Sequence, residues 1–103
     1  MAVYLLHSTV PIGGPGRNGA RHYTGYCREG RLAERLKEHQ SGHGEVAIVN
    51  AYLEAGGELL VGGYWPGETR TDERRRKNGG NSRKVCLVCR GLAPLHPDWL
   101  SDL

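Results

Sequence analysis

Val3-Tyr4-Leu5-Leu6-His7 and His22-Tyr23-Thr24-Gly25-Tyr26-Cys27 are the two runs whose reading decides the fold. Both are short, and rich in the aromatic and branched aliphatic residues that suit a pleated surface. Residues 8–21 between them hold Pro11, Gly13, Gly14, Pro15, Gly16 and Gly19, and read as a flexible loop that also carries Arg17 and Arg21. Neighbouring strands joined this way pair most simply antiparallel, here as a hairpin with a long tip.

Working outward, Arg31 to Gln40 is the clearest helix: Leu32, Ala33 and Leu36 form an apolar stripe and Gly42 supplies a stop. A second helix is predicted from Glu45 to Ala55, burying Val46, Ile48, Val49, Tyr52 and Leu53, and Gly56-Gly57 ends it. Glu58 to Trp65 is a third strand, broken by Pro66-Gly67. A third helix runs from about Thr71 to Asn78, capped by Thr69 or Thr71 and closed by Gly79-Gly80. From Val85 one apolar strand-like piece is expected, and Asp98-Trp99-Leu100 is a candidate packing anchor. The order β-β-α-α-β-α predicts an α+β fold, with helices flanking a small, mostly antiparallel sheet.

Composition sets the bounds. The chain has 103 residues, enough for one domain, 1–103, with one modest core. Hydrophobic residues are 38% and charged residues 24%, a globular rather than disordered balance. There is no apolar run long enough to span a membrane. Met1 to Leu6 lacks the basic and apolar regions of a signal peptide, so a cytoplasmic protein is expected. Three cysteines without a secretory context do not read as a disulfide framework. Net charge is +3, and it is local. Between Glu68 and Lys84, seven cations (Arg70, Arg74, Arg75, Arg76, Lys77, Arg83 and Lys84) face three anions. Such a patch fits a polyanion such as nucleic acid; a solvated helix face is the other reading.

Several residues could carry chemistry. Arg35 and His39 are four apart and share one helix face. A planar guanidinium fork suits a phosphate, and an imidazole can position a water or carry a proton. Tyr4 and Tyr23 would sit on adjacent strands, where a nearby cation could help a phenol deprotonate a water. Glu73 is a carboxylate among cations, an ordinary single protein ligand for Mg²⁺. Asn81 lies in a Gly-Gly-Asn-Ser-Arg-Lys turn and could bond a phosphate. Each of these also has a plain surface or turn role. Cys86-Leu-Val-Cys89 has zinc-knuckle spacing, but there is no second such pair. Cys27, His96 or His43 would have to complete a zinc site, and two buried free thiols on a strand turn are the simpler state.

The ordered set resembles the GIY-YIG nuclease superfamily. The residues concerned are Ala2-Val3-Tyr4, Tyr23-Thr24-Gly25, the helix with Arg35 and His39 followed by Gln40-Ser41-Gly42, Glu73-x-x-x-Lys77 and Asn81-Ser-Arg-Lys. Ala2-Val3 and Thr24 depart from the usual residues, and the loop between the two triplets is longer than usual. The resemblance implies a three-stranded antiparallel sheet flanked by helices, and hydrolysis of phosphodiesters with Mg²⁺ or Mn²⁺. It places Glu73 on the metal, Arg35 on the phosphate and Tyr4 as general base or water-positioning group, supported by Tyr23 and His39.

The expectation is a metal-dependent endonuclease acting on nucleic acid, with DNA as the first choice. Its backbone contacts would come from Arg17, Arg21, Arg74, Arg75, Arg76, Lys77, Asn81, Arg83 and Lys84, and a protein partner could supply specificity. The alternative is a non-catalytic nucleic-acid-binding module using the basic segment 70–84.

Overall fold

A computed structural model of the chain describes residues 1–12, 20–41, 46–80 and 82–96. Arg17, His43, Asn81 and the Asp98-Trp99-Leu100 anchor lie outside the described residues. The fold is α+β. Strand β1 (Ala2–Ile12) is central in a three-stranded antiparallel sheet, between β2 (Ala20–Cys27) and β3 (Leu59–Pro66). Helices α1 (Leu32–Gln40) and α2 (Ala47–Glu54) precede β3; α3 (Arg70–Gly79) and the one-turn α4 (Ser82–Val85) follow it.

The centre strand is buried without a break from Ala2 to Ser8, because each of its faces is covered by different helices. Alternation sends Ala2, Tyr4 and Leu6 to one side. There they pack with Leu32 and Leu36 of α1, Val49 and Tyr52 of α2, and Leu59 and Val61 of β3. Leu5, Thr24 and Trp65 face the other side, where a cavity of ≈ 290 Å³ separates them from Asp72, Arg75 and Arg76 of α3 and from Ser82 and Val85 of α4.

Tyr4 stands opposite Gly25 and His7 opposite His22 on β2. On the other side Leu5 pairs with Gly63 and Leu6 with Val61, so Gly62 is an extra residue that bulges from β3. Helix α3 is almost wholly polar and buries only Glu73. With so little apolar contact, its capping box carries weight: Thr69 N–H donates to Asp72 Oδ2 at 2.8 Å and Asp72 N–H to Thr69 Oγ1 at 3.4 Å. Such a cap contributes about 1 kcal/mol.

Three expectations are corrected. Strand β1 continues through Thr9, Val10, Pro11 and Ile12, which the Pro/Gly density had assigned to a loop; Thr9 N–H reaches Glu58 O at 3.0 Å. Ile48 is exposed, since the helical period turns it away from the Val49/Tyr52 face. Among the described residues the tail forms no strand after Val85: residues 82–85 form α4, 87–91 are turns, and an isolated bridge joins Leu95 to Val61. Among the described residues no helix is long and apolar enough to cross a membrane.

Candidate functional site

Tyr4 enters the layer beneath α1 and has no exposed surface. Its hydroxyl lies 2.7 Å from His39 Nε2. The rings of Tyr4, Tyr23 and His39 form a triangle, with centroid separations of 6.2, 6.0 and 5.5 Å. Gly25 makes this possible. A Cβ there would stand 2.5 Å from Tyr4 Oη and 2.8 Å from Tyr23 Cε2, so only glycine leaves room for both phenols.

Burial pushes the Tyr4 phenol well above its ordinary value, against the opposing pull of the Arg35 guanidinium beside it. Burial likewise lowers His39, and the Arg35 charge adds to the effect. Both groups are therefore neutral near pH 7, and the Tyr4 O–H can donate to an unprotonated Nε2. Arg35 is held by Glu38 at 3.0 Å through one terminal nitrogen, while its Nε is buried with no hydrogen-bond partner. The guanidinium nevertheless rests against the Tyr4 hydroxyl, and this contact holds Arg35 above its ordinary value.

Helix α3 reaches the same cluster around the β2 edge. Lys77 Nζ lies 5.2 Å from the Tyr23 ring centroid and 3.0 Å from Glu73 Oε1. Glu73 is only 6% exposed, on a helix whose other residues face solvent or are half-buried. A buried carboxylate is more informative than an exposed one, because desolvation makes it costly to keep. Tyr4, Tyr23 and His39 thus meet as a ring triangle with Arg35 beside Tyr4, and Lys77 links Glu73 to the Tyr23 ring.

The basic residues divide. Arg21, Arg74, Arg75, Lys77, Arg83 and Lys84 are exposed. Arg76 turns inward: its Nε donates to Glu68 Oε1 at 2.8 Å and its guanidinium lies 3.6 Å from the Trp65 ring centroid. Beside Arg35 an open groove of ≈ 570 Å³ is lined by Tyr26, Arg28, Arg31 and Glu38, among others. Arg70 of α3 leans over Tyr26 at 5.5 Å. Sequence reasoning passed over Arg28 and Arg31, although their spacing to Arg35 was in view.

A second cluster lies on the opposite face. His7 Nδ1, His22 Nε2, Cys86 Sγ and Cys89 Sγ all lie within 4.8 Å of one another and could hold a metal ion. His7 Nδ1 is 3.3 Å from His22 Nε2 and 3.6 Å from each sulfur; Cys89 Sγ is 3.3 Å from His22 Nε2. Burial lowers His7, and burial with His7, Arg83 and Arg21 nearby takes His22 down to about 4, so both imidazoles are neutral. This corrects the sequence expectation twice. The cysteines sit on a turn after α4, Cys86 buried and Cys89 exposed, and their partners are His7 and His22 rather than Cys27 or His96. The missed signal was the hairpin register: once Tyr4 faces Gly25, His7 must face His22.

Compared with protein-family models, curated proteins and solved structures, the chain matches none.

Proposed function

We propose that the chain is a metal-dependent endonuclease that hydrolyses phosphodiester bonds of nucleic acid, DNA as the first choice, through the Tyr4/Tyr23/Arg35/His39/Glu73 cluster. The observation that carries this reading is the buried Glu73 on an otherwise polar helix, brought through Lys77 to the same ring triangle that Arg35 borders. The resemblance to GIY-YIG nucleases, drawn from short motifs, supports the same roles.

Glu73 fits a hard divalent ion such as Mg²⁺ or Mn²⁺: it is one buried oxygen donor, and waters and a phosphate oxygen would complete the shell. When bound, such an ion would stabilise charge developing on the phosphate and the leaving oxygen. Lys77, now the partner of Glu73, would be freed to meet a substrate phosphate. Arg35, whose side chain is 42% exposed, would bind a non-bridging oxygen through its guanidinium fork, now shared with Glu38, with the groove beside it accepting the strand. Neutral His39 is the proton acceptor. As an admitted water gives a proton to Tyr4 Oη, the Tyr4 proton moves to His39 Nε2, and no free phenolate builds up. Tyr4 is sealed from solvent here, so this step requires substrate binding to admit one water at the Tyr23–Arg35 edge.

The test is plasmid nicking with Mg²⁺, Mn²⁺ or EDTA, comparing the wild type with Glu73→Gln. Cleavage with either ion, abolished by EDTA and reduced to background in a folded Glu73→Gln, is expected. Full activity of Glu73→Gln would remove Glu73 as the ligand. DNA binding without cleavage under all metal conditions would leave only a binding module.

A further inference from the structure

We propose that the chain also carries a structural zinc ion, held by His7 Nδ1, His22 Nε2, Cys86 Sγ and Cys89 Sγ, that staples its C-terminal segment to the sheet. This goes beyond the hydrolytic reading and uses none of its residues.

The geometry is that of a tetrahedral shell. Zinc bonds of about 2.0–2.1 Å to nitrogen and about 2.3 Å to sulfur place tetrahedral donors about 3.3 Å apart for N–N, rising to about 3.8 Å for S–S. The observed N–N separation is 3.3 Å, three of the four N–S separations are 3.6, 3.6 and 3.3 Å, and every pair of donors lies within 4.8 Å. Hydrogen bonding alone does not account for this convergence. His7 Nδ1 lies within reach of three partners, yet one ring nitrogen has either a single proton or a single lone pair. One ion at the centre satisfies all four atoms together.

The donor chemistry selects the metal. Two imidazoles and two thiols suit zinc, whereas Mg²⁺ takes oxygen. Four protein donors fill a tetrahedral shell and leave no position for substrate, so this centre is structural.

The backbone is built to deliver the cysteines. Gly62 bulges from β3, and a Cβ on it would stand 2.5 Å from Cys86 Sγ. Leu87 N–H donates to Gly62 O and Leu95 N–H to Val61 O, each at 2.9 Å, seating the turn on the same strand. Helix α4 has four residues, too few to be stable alone. The free energy of binding zinc is then the free energy of ordering this segment. It also fixes Arg21 and Arg83, which with His22 and Cys89 line an open groove of ≈ 880 Å³.

The experiment measures metal, not cleavage. The wild-type chain is purified under reductant without chelator, dialysed, and assayed for zinc content and by zinc X-ray absorption. One zinc per chain with a shell of two nitrogens and two sulfurs is expected, unchanged by excess Mg²⁺. Cys89→Ser, at an exposed turn position, should lower retained zinc at least tenfold. Zinc-free protein after purification with added zinc, a shell without sulfur, or full zinc retention in Cys89→Ser would each overturn the proposal. Because the wild type is assayed without substrate, a zinc-loaded chain that never cleaves leaves this inference standing and removes only the hydrolytic one.

Discussion

Tyr4 and His7 stand three residues apart on one strand, and alternation sends them to opposite faces of the sheet. The difference between the two clusters lies in how far each is satisfied. Around Tyr4 the groups are fixed but incomplete: Arg35 Nε has no partner, and Glu73 meets a lysine it can exchange for another cation. Around His7 four donors close on one point. A site that must bind and release a substrate keeps unfilled hydrogen-bonding capacity. A site that holds the chain together does not.

The largest effect that would sharpen this contrast belongs to Arg35. Removing a contact made to a transition-state phosphate costs roughly 10²–10³ in rate. Arg35→Ala should lower turnover by that order with little change in DNA binding or zinc content. Arg35 packs beside Tyr4, so Arg35→Lys controls for lost side-chain contacts while keeping the charge. If Arg35→Lys cleaves at the wild-type rate, the role assigned to the guanidinium fork fails.

Two glycines give a more direct comparison, because each leaves space for one cluster only. In Gly25→Ala the new methyl meets Tyr4 Oη at 2.5 Å; in Gly62→Ala it meets Cys86 Sγ at 2.5 Å. Overpacking of this kind costs about 1–3 kcal/mol. Gly25→Ala should lose cleavage and keep its zinc, and Gly62→Ala should lose zinc affinity first. Thermal denaturation, metal content and nicking on both variants decide the matter. If either variant loses both properties while still folded, the two faces act as one unit and the contrast is broken.

Much of the architecture was legible because its signals are local. Pro66-Gly67 and the Thr69–Asp72 box mark the β3–α3 junction within the sequence itself, and α3 was placed to within a residue at each end. Arg35 and His39 were legible as a pair because a helix puts residues four apart on one face. The β1 extension was hidden by Pro11 and the glycines after it: composition says where a chain can turn, and here the strand continues through Ile12. The four candidate metal ligands were hidden for a different reason. His7, His22 and the two cysteines are joined only by strand register and by the docking of residues 87–95 on β3, both of which are long-range contacts. Cysteine spacing allowed a zinc knuckle, but nothing local named its partners, and two free thiols read as the simpler state.

The smallest effect separates Arg75 from Arg76, adjacent in sequence and opposite in setting. The Arg75 side chain is 77% exposed and only loosely paired with Asp72, at 3.7 Å. Arg76 bonds Glu68 and stacks on Trp65. Each phosphate contact adds about 0.9 to the slope of log affinity against log salt. Arg75→Ala should therefore flatten the salt dependence of DNA binding by about one contact and leave stability nearly unchanged. Arg76→Ala should leave the slope alone and lower stability by about 0.5–2 kcal/mol, the usual worth of a cation–π contact. A salt titration and a denaturant melt on each variant separate the outcomes. If Arg76→Ala flattens the slope as much as Arg75→Ala, Arg76 must leave Trp65 to reach a phosphate. The inward pairing would then be a resting state that nucleic acid displaces, as a divalent ion is proposed to displace Lys77 from Glu73.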